Sequence, residues 1–277
     1  MFVSMDKILN KAAAEEYGVV APNVYNLETV GAGFKAAIEL KSPLIMDVYD
    51  ALDLELIAEA AKFFSKRYPE VTVALNLDHG KSYEVAVKAI RYGFTSVMVD
   101  RSSLAFEDNI KQVREIVKMA HAIGVSVESE LGHVGQGITY DNDRDNGLTK
   151  VSEAVEYINK TGVDCLAVAV GTAHGRYVGT PHLDFERLAE LKAICKVPLV
   201  LHGGSSSGDE NLKKAVETGI TKVNIGTDLK TAGALGAKEY LERTEFPSLI
   251  EMIDCGVEGY KEKIKHYMVL FGCNNRG

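Results

Sequence analysis

The chain has 277 residues, 46% of them hydrophobic, with no charge block or low-complexity tract, so it has ample material for one large core. A formal net charge of −8 at pH 7 disfavours a nucleic-acid or anionic-membrane partner. No apolar run approaches the ~20 residues of a membrane span.

The opening segment MFVSMDKILNKAAAEEYG carries Asp and Glu and lacks the apolar stretch of a signal peptide. Cys165, Cys195, Cys255 and Cys273 lie far apart with no C-x-x-C, which suits reduced thiols better than a disulfide framework or a thiolate zinc site. These features predict a cytoplasmic protein.

A leading helix is predicted over 4–16, with Ser4 as N-cap and Ile8, Leu9, Ala12 and Ala13 on one face. Strand and helix signals then alternate. A strand over 17–21 ends at Pro22-Asn23 before a helix over 28–40; a second over 43–48 precedes a helix over 53–67. The third strand, 71–77, is a run of apolar and β-branched residues that ends abruptly in Asp78-His79-Gly80. It delivers a carboxylate and an imidazole to its own tip. After a helix over 82–92, the strand 96–99 ends at Asp100, followed by a helix over 107–121.

The strand 125–129 ends at Glu130 and opens into a glycine- and asparagine-rich loop, 132–149, without an apolar period. Its length is that of a functional lid. A helix over 152–160 leads to the strand 165–170, which ends in GTAHG, and a helix over 185–194 leads to the strand 198–201, which ends in His202-Gly203-Gly204-Ser205. After a helix over 210–217, the strand 220–223 ends in Asn224-Ile225-Gly226-Thr227. A helix over 228–241 follows, and 246–271 is predicted as further helix packed outside.

Eight strand–helix repeats predict an α/β fold, a (β/α)₈ TIM barrel with an N-terminal helix and extra C-terminal helices, built by residues 1–277 as a single domain. An open doubly wound sheet is the alternative, but no G-x-G-x-x-G follows the first strand. In a barrel every strand opens its C-terminal end on one face. Asn23, Asp47, Asp78, His79, Asp100, Glu130, His174, His202 and Asn224 all fall at or just past such ends.

Three of these are histidines. Three imidazoles with an open fourth position suit a catalytic divalent metal, with zinc the default for nitrogen ligands. His121, His133, His182 and His266 fall on predicted helix surfaces or loops and read as surface or capping residues. Asp78 is read as a general acid/base beside the metal in preference to a partner that orients a ligating His. Asp100 and Glu130 read equally as a second, more surface-lying metal pair and as loop hydrogen bonds. The glycine-rich ends after strands seven and eight, with the Ser205 and Thr227 hydroxyls, lie where barrels bind phosphate.

LDHG at 77–80, VESELGHVG at 127–135, GTAHG at 171–175, LVLHGGS at 199–205 and KVNIGT at 222–227 resemble the class II (metal-dependent) ketose-bisphosphate aldolases, which include fructose- and tagatose-bisphosphate aldolases. The resemblance runs from the APNVYN segment to the GCNNR tail. It implies a lyase that cleaves or forms a phosphorylated ketose, releasing dihydroxyacetone phosphate and an aldehyde. It makes His79, His174 and His202 ligands of one Zn2+ and Asp78 the group that takes the proton of the C4 hydroxyl. It matches Asp100 and Glu130 to residues that hold the metal in an alternative site. Gly175, Gly203, Ser205 and Thr227 would bind the phosphate, with Asn224 on the hydroxyl end of that fragment. It further implies a monovalent cation, Na+ or K+, near the phosphate, and a homodimer or homotetramer.

The chain departs from that pattern in places. Tyr49 stands where relatives carry Ser or Thr, and the lid reads Gly135-Gln136-Gly137-Ile138-Thr139 without the glutamate that donates a proton. Asp141, Asp143, Asp145 and Tyr140 are the substitutes at hand. Arg101 and Arg176 are bulky cations that read as structural pairs or as partners of a second anionic group, and Arg276 is a candidate for a distal phosphate. Fructose or tagatose 1,6-bisphosphate are the default substrates; another ketose 1-phosphate or a keto-acid phosphate is the alternative. A Schiff-base aldolase is disfavoured because Lys222 reads as lying at the wrong barrel end, and a non-catalytic sugar-phosphate sensor because Asp78 is retained.

Overall fold

The computed structural model describes residues 1–137, 147–177 and 181–277. Its strands are β1 (Val19–Pro22), β2 (Leu44–Tyr49), β3 (Val73–Gly80), β4 (Ser96–Val99), β5 (Ser126–Leu131), β6 (Gly135–Gln136), β7 (Cys165–Val168), β8 (Ala173–His174), β9 (Leu199–Leu201) and β10 (Ile220–Ile225). The helices are α1 (Met5–Ala14), α2 (Leu27–Leu40), α3 (Leu54–Arg67), α4 (Tyr83–Tyr92), α5 (Phe106–His121), α6 (Val151–Thr161), α7 (Phe185–Ile194), α8 (Asp209–Thr218), α9 (Thr227–Arg243) and α10 (Leu249–Leu270). Each predicted element is present with its ends moved by a few residues.

Eight strands form one parallel sheet in the order β1-β10-β9-β7-β5-β4-β3-β2. An Asn23↔Asp47 bridge and a hydrogen bond from Val24 N to Asp47 O (2.9 Å) draw β1 against β2, so the sheet curls into a barrel and not an open doubly wound sheet. Strands covered on both faces read as continuous apolar runs, which is why the strand cores are buried throughout. Helix starts follow local chemistry: the side chains of Asn26, Asp53, Ser82 and Asp184 each accept from a backbone N–H in the first turn. Ser4 occupies the N-cap position of α1, but its side chain makes no capping hydrogen bond.

The loop read from sequence as a lid is paired at its start. β6 pairs in parallel with β8, so Gln136 lies opposite His174. The far end of the loop is tied by His133 N to Gly147 O (2.7 Å) and by Thr149 N to Ala169 O (2.9 Å).

α9 and α10 form an antiparallel hairpin whose glycines let the backbones approach closely. A Cβ on Gly236 would stand 2.5 Å from the Cys255 carbonyl oxygen, and one on Gly259 2.6 Å from that of Ala232. The hairpin matters for the rim, because the Tyr260 hydroxyl of α10 donates to the carbonyl of Asn23. Among the described residues, no helix is long and apolar enough to cross a membrane.

The close approach makes Gly236→Val an overpacking change. It is expected to lower the unfolding free energy by about 1–3 kcal/mol, read as a lower urea midpoint at unchanged m-value. A midpoint at or above that of the unmodified chain would contradict the packing described.

Candidate active site

In a regular strand adjacent side chains point to opposite faces, so Asp78 and His79 should not share a cavity. The structure resolves this with a bulge. The β3–β4 register shifts between Leu77 and Gly80, and His79 takes φ +50°, a left-handed conformation uncommon for a non-glycine residue. β3 therefore runs on to Gly80, and both side chains reach the mouth of the barrel.

His79 meets His174 and His202 there. His79 Nε2 and His202 Nδ1 stand 2.7 Å apart, and the His174 ring centroid lies 4.8 Å from that of His79 and 5.9 Å from that of His202. The remote nitrogens are held by carboxylates: His79 Nδ1 by Asp100 Oδ2 at 2.9 Å, His202 Nε2 by Glu128 Oε1 at 2.7 Å. This donor set and its outer support fit a divalent transition-metal ion. Glu130 lends one oxygen to Val134 N at 2.9 Å, while its buried Oε2 has no hydrogen-bond partner and lies 3.9 Å from His202 Nδ1. A bare buried carboxylate oxygen beside three imidazoles fits a cation.

The electrostatics point the same way. Burial disfavours charge on His79, but Asp78, Asp100 and Glu130 outweigh it and raise its pKa to about 10. His174, by burial first and then by its two neighbouring rings, falls to about 3. Burial raises the pKa of Glu130, and Asp100 adds to it. His79, Asp100 and Glu130 also bring ligand atoms together as a second cluster that could hold a metal ion, while both carboxylates accept backbone hydrogen bonds. Asp100 orients His79 and also accepts from Ser102 N at 2.9 Å.

Asp78 stands apart from these orienting carboxylates. Its Oδ2 accepts from Asn23 Nδ2 (2.7 Å) and its Oδ1 from Asn224 Nδ2 (3.2 Å), while the nearest His79 nitrogen is 3.8 Å away. Each carboxamide is held from behind. Tyr49 Oη donates to Asn23 Oδ1 (3.3 Å), and Lys222 Nζ donates to Asn224 Oδ1 (2.7 Å). Lys222 thus corrects the expectation from sequence: it lies not at the wrong barrel end but fully buried in the interior, one layer beneath Asp78. Its long stem carries the ammonium inward.

In the sector expected from sequence to bind phosphate, Gly175 (φ +86°) and Gly203 (φ +67°) adopt backbone conformations that favour glycine, and a Cβ on Gly203 would stand 2.3 Å from Ala173 O. Ser205 Oγ accepts from Gly226 N (3.1 Å) and Asp228 N (3.2 Å), so it ties the two loops together and keeps only its own proton to donate. Thr227 opens α9 and is half-buried. Tyr177 bridges the same sector, its hydroxyl accepting from Ala173 N (2.6 Å) and donating to Gly203 O (2.9 Å).

Other candidates fall elsewhere. Arg101 is a structural cation, its guanidinium bound to Gln112 Oε1 (2.5 Å), Asp100 O (2.7 Å) and Lys81 O (3.0 Å). Arg176 is exposed. Arg276 pairs with Glu15 (3.0 Å) and covers the Tyr17 ring, at the opposite end of the barrel from the histidines, which overturns a distal-phosphate role within its own chain. His121, His266 and His133 pair with Asp164 (2.8 Å), Asp209 (2.9 Å) and Ser102 (2.8 Å), as surface residues do. Ile138, Thr139, Tyr140, Asp141, Asp143 and Asp145 lie outside the described residues.

The reading from sequence passed over Glu128, Tyr177 and the support behind Asp78. Glu128 had a signal: it stands two residues before Glu130 in β5, hence on the same inward face. Tyr177 had none, since its contact with Gly203 depends on how two loops fold together.

The family model described as "Fructose-bisphosphate aldolase class-II" matches residues 3–276. The chain is 37% identical over 308 aligned positions to a fructose-bisphosphate aldolase of Helicobacter pylori strain 26695, and the alignment spans 100% of both chains. It is 38% identical over 312 positions to one from Thermus caldophilus, again over 100% of both. Among solved structures it is similar to the YdjI aldolase from Escherichia coli K12, with a TM-score of 0.89 and 31% identity, covering 100% of this chain and 99% of that one.

Because Asp100 holds His79 Nδ1, Asp100→Asn is expected to weaken binding of a divalent metal, with Zn2+ as the probe, about 10–100-fold. Chelator competition measures this directly. An affinity within about twofold of the unmodified protein would show that Asp100 serves only the loop.

Proposed function

We propose for this chain, which belongs to the class II fructose-bisphosphate aldolase family, retro-aldol cleavage of a phosphorylated ketose to dihydroxyacetone phosphate and an aldehyde, with Asp78 as the base. The observation that carries the reading is the setting of Asp78, whose two oxygens are held by the carboxamides of Asn23 and Asn224 beside the histidine cradle. Binding alone needs no carboxylate so placed.

His79, His174 and His202 hold the metal, zinc by the nitrogen character of the donors, with Asp100 and Glu130 as the alternative ligands. A divalent ion bound there supplies a Lewis acid for the charge that cleavage leaves on the C2 oxygen. The chain's own residues do the rest. Gly175, Gly203, Ser205 and Thr227 bind the phosphate and Asn224 the hydroxyl end of the same fragment, with a Na+ or K+ ion nearby. Asp78 accepts the proton of the C4 hydroxyl as the C3–C4 bond breaks; the bonding pair passes to the three-carbon fragment as an enediolate, and the aldehyde leaves. A lid residue then protonates C3, with Tyr140, Asp141, Asp143 and Asp145 as the candidates, and the closed lid keeps water from the enediolate.

Fructose or tagatose 1,6-bisphosphate are the default substrates, and a different ketose 1-phosphate or keto-acid phosphate is the alternative. Two features support this alternative: the bulky Tyr49 at the rim and an Arg276 that faces the far end of the barrel. A Schiff-base route is disfavoured. Burial alone would lower the Lys222 pKa, but Asp47 and Glu128 reverse this and hold the group as an ammonium. Residues 1–277 act as one catalytic domain in a cytoplasmic homodimer or homotetramer. Four free cysteines support that location, and the exposure of Phe246 (82%), Leu249 (68%) and Ile250 (71%) at the α9–α10 turn supports assembly.

A coupled assay for dihydroxyacetone phosphate over a panel of ketose 1-phosphates and 1,6-bisphosphates tests the reading. Turnover abolished by EDTA and restored by zinc is expected, and Asp78→Ala is expected to lower kcat by about 10²–10⁴-fold. A covalent adduct trapped by borohydride, or an Asp78→Ala variant of undiminished kcat, would overturn it.

A further inference from the structure

We propose that Lys222 is a positioning residue that couples the base to the metal cradle, an inference that rests on the function proposed above. An ammonium has three N–H donors and no acceptor. In this barrel it meets three acceptors: it donates to Asp47 Oδ2 (3.0 Å) and Asn224 Oδ1 (2.7 Å) and forms an ion pair with Glu128 Oε2 (3.0 Å). Lys222, Asp47 and Glu128 are all completely buried, so no water substitutes for a lost partner.

Two of the three contacts reach the rim. Because Lys222 only donates, Asn224 must turn its oxygen toward the ammonium, and its Nδ2 is thereby aimed at Asp78 Oδ1 (3.2 Å). A flipped carboxamide would set its oxygen against a carboxylate. Because Lys222 occupies Glu128 Oε2, the remaining Oε1 faces His202 Nε2 (2.7 Å), which leaves Nδ1 of that ring to face His79 Nε2. One buried group therefore orients the base on one side and a metal ligand on the other.

Asp47 anchors the ammonium from below, its other oxygen accepting from Asn76 Nδ2 (2.9 Å), and among the described residues it makes no hydrogen bond or ion pair with Asn224 or Glu128. Asp47→Asn is therefore the reference background, since it removes one of the two carboxylates that a Lys222 substitution would strand, the other, Glu128, keeping its bond to His202. In that background, Lys222→Met is expected to weaken zinc binding about 10–100-fold by chelator competition. It is also expected to lower kcat at saturating zinc about 10²-fold, with KM changed less than about threefold. Lys222→Gln in the same background keeps an N–H donor for Asn224 and is expected to recover part of the kcat.

A folded Lys222→Met/Asp47→Asn protein whose zinc affinity and kcat stay within about threefold of Asp47→Asn overturns the proposal. So do equal losses in the Met and Gln variants that track only their melting temperatures. The zinc comparison stands without turnover: unmodified protein that binds zinc yet cleaves no ketose phosphate overturns the proposed function, and the affinity series still decides the role of Lys222.

Discussion

A lysine ammonium buried between two carboxylates is the interaction on which the catalytic rim stands. Removing an ion from water costs several kcal/mol even after relaxation, and a buried pair recovers that only with good geometry and every donor satisfied. Lys222 meets the condition, with two hydrogen bonds and an ion pair to three acceptors at 2.7 to 3.0 Å. Its charge keeps the pKa of Glu128 below the usual range although burial pushes the other way, whereas for Asp47 burial wins and the pKa rises. An apolar barrel centre would be easier to build. The polar one supplies fixed hydrogen-bond directions to the layer above.

That layering follows from the two-residue period of strands. Asp47 and Tyr49 of β2, Asn76 and Asp78 of β3, Glu128 and Glu130 of β5, and Lys222 and Asn224 of β10 are four pairs, each two residues apart on an inward face. Register levels them, with Asp47 opposite Asn76 and Tyr49 opposite Asp78. The lower member of each pair belongs to the ion cluster or its hydrogen-bonded surround. The upper member belongs to the reactive rim. The histidine cradle and Asp78 are thus two outlets of one buried network.

Much of this was legible in the chain. Apolar runs between helical periods announced the barrel, and the concentration of Asp, Glu, His and Asn at strand ends marked its face before any contact was known. Depth and register were not legible. The bulge that turns His79 and Asp78 to the same side depends on how β3 pairs with β4. Lys222 was misplaced because its position along β10 was read as its reach, whereas a four-carbon stem carries the charge inward. Arg276 was misplaced because the tail after α10 returns to the Leu40–Lys41 end of α2, where Asn275 N meets Leu40 O (2.8 Å). Ser205 looked like a simple phosphate donor, and only the fold shows its oxygen joining two loops.

The proposed making and protonation of a three-carbon enediolate can be tested without knowing the aldehyde. Dihydroxyacetone phosphate alone, incubated in D2O with zinc-loaded protein, should exchange one C3 hydrogen for deuterium stereospecifically, as followed by proton NMR, and exchange should stop on adding EDTA. Binding of dihydroxyacetone phosphate with no exchange at C3 would contradict the account.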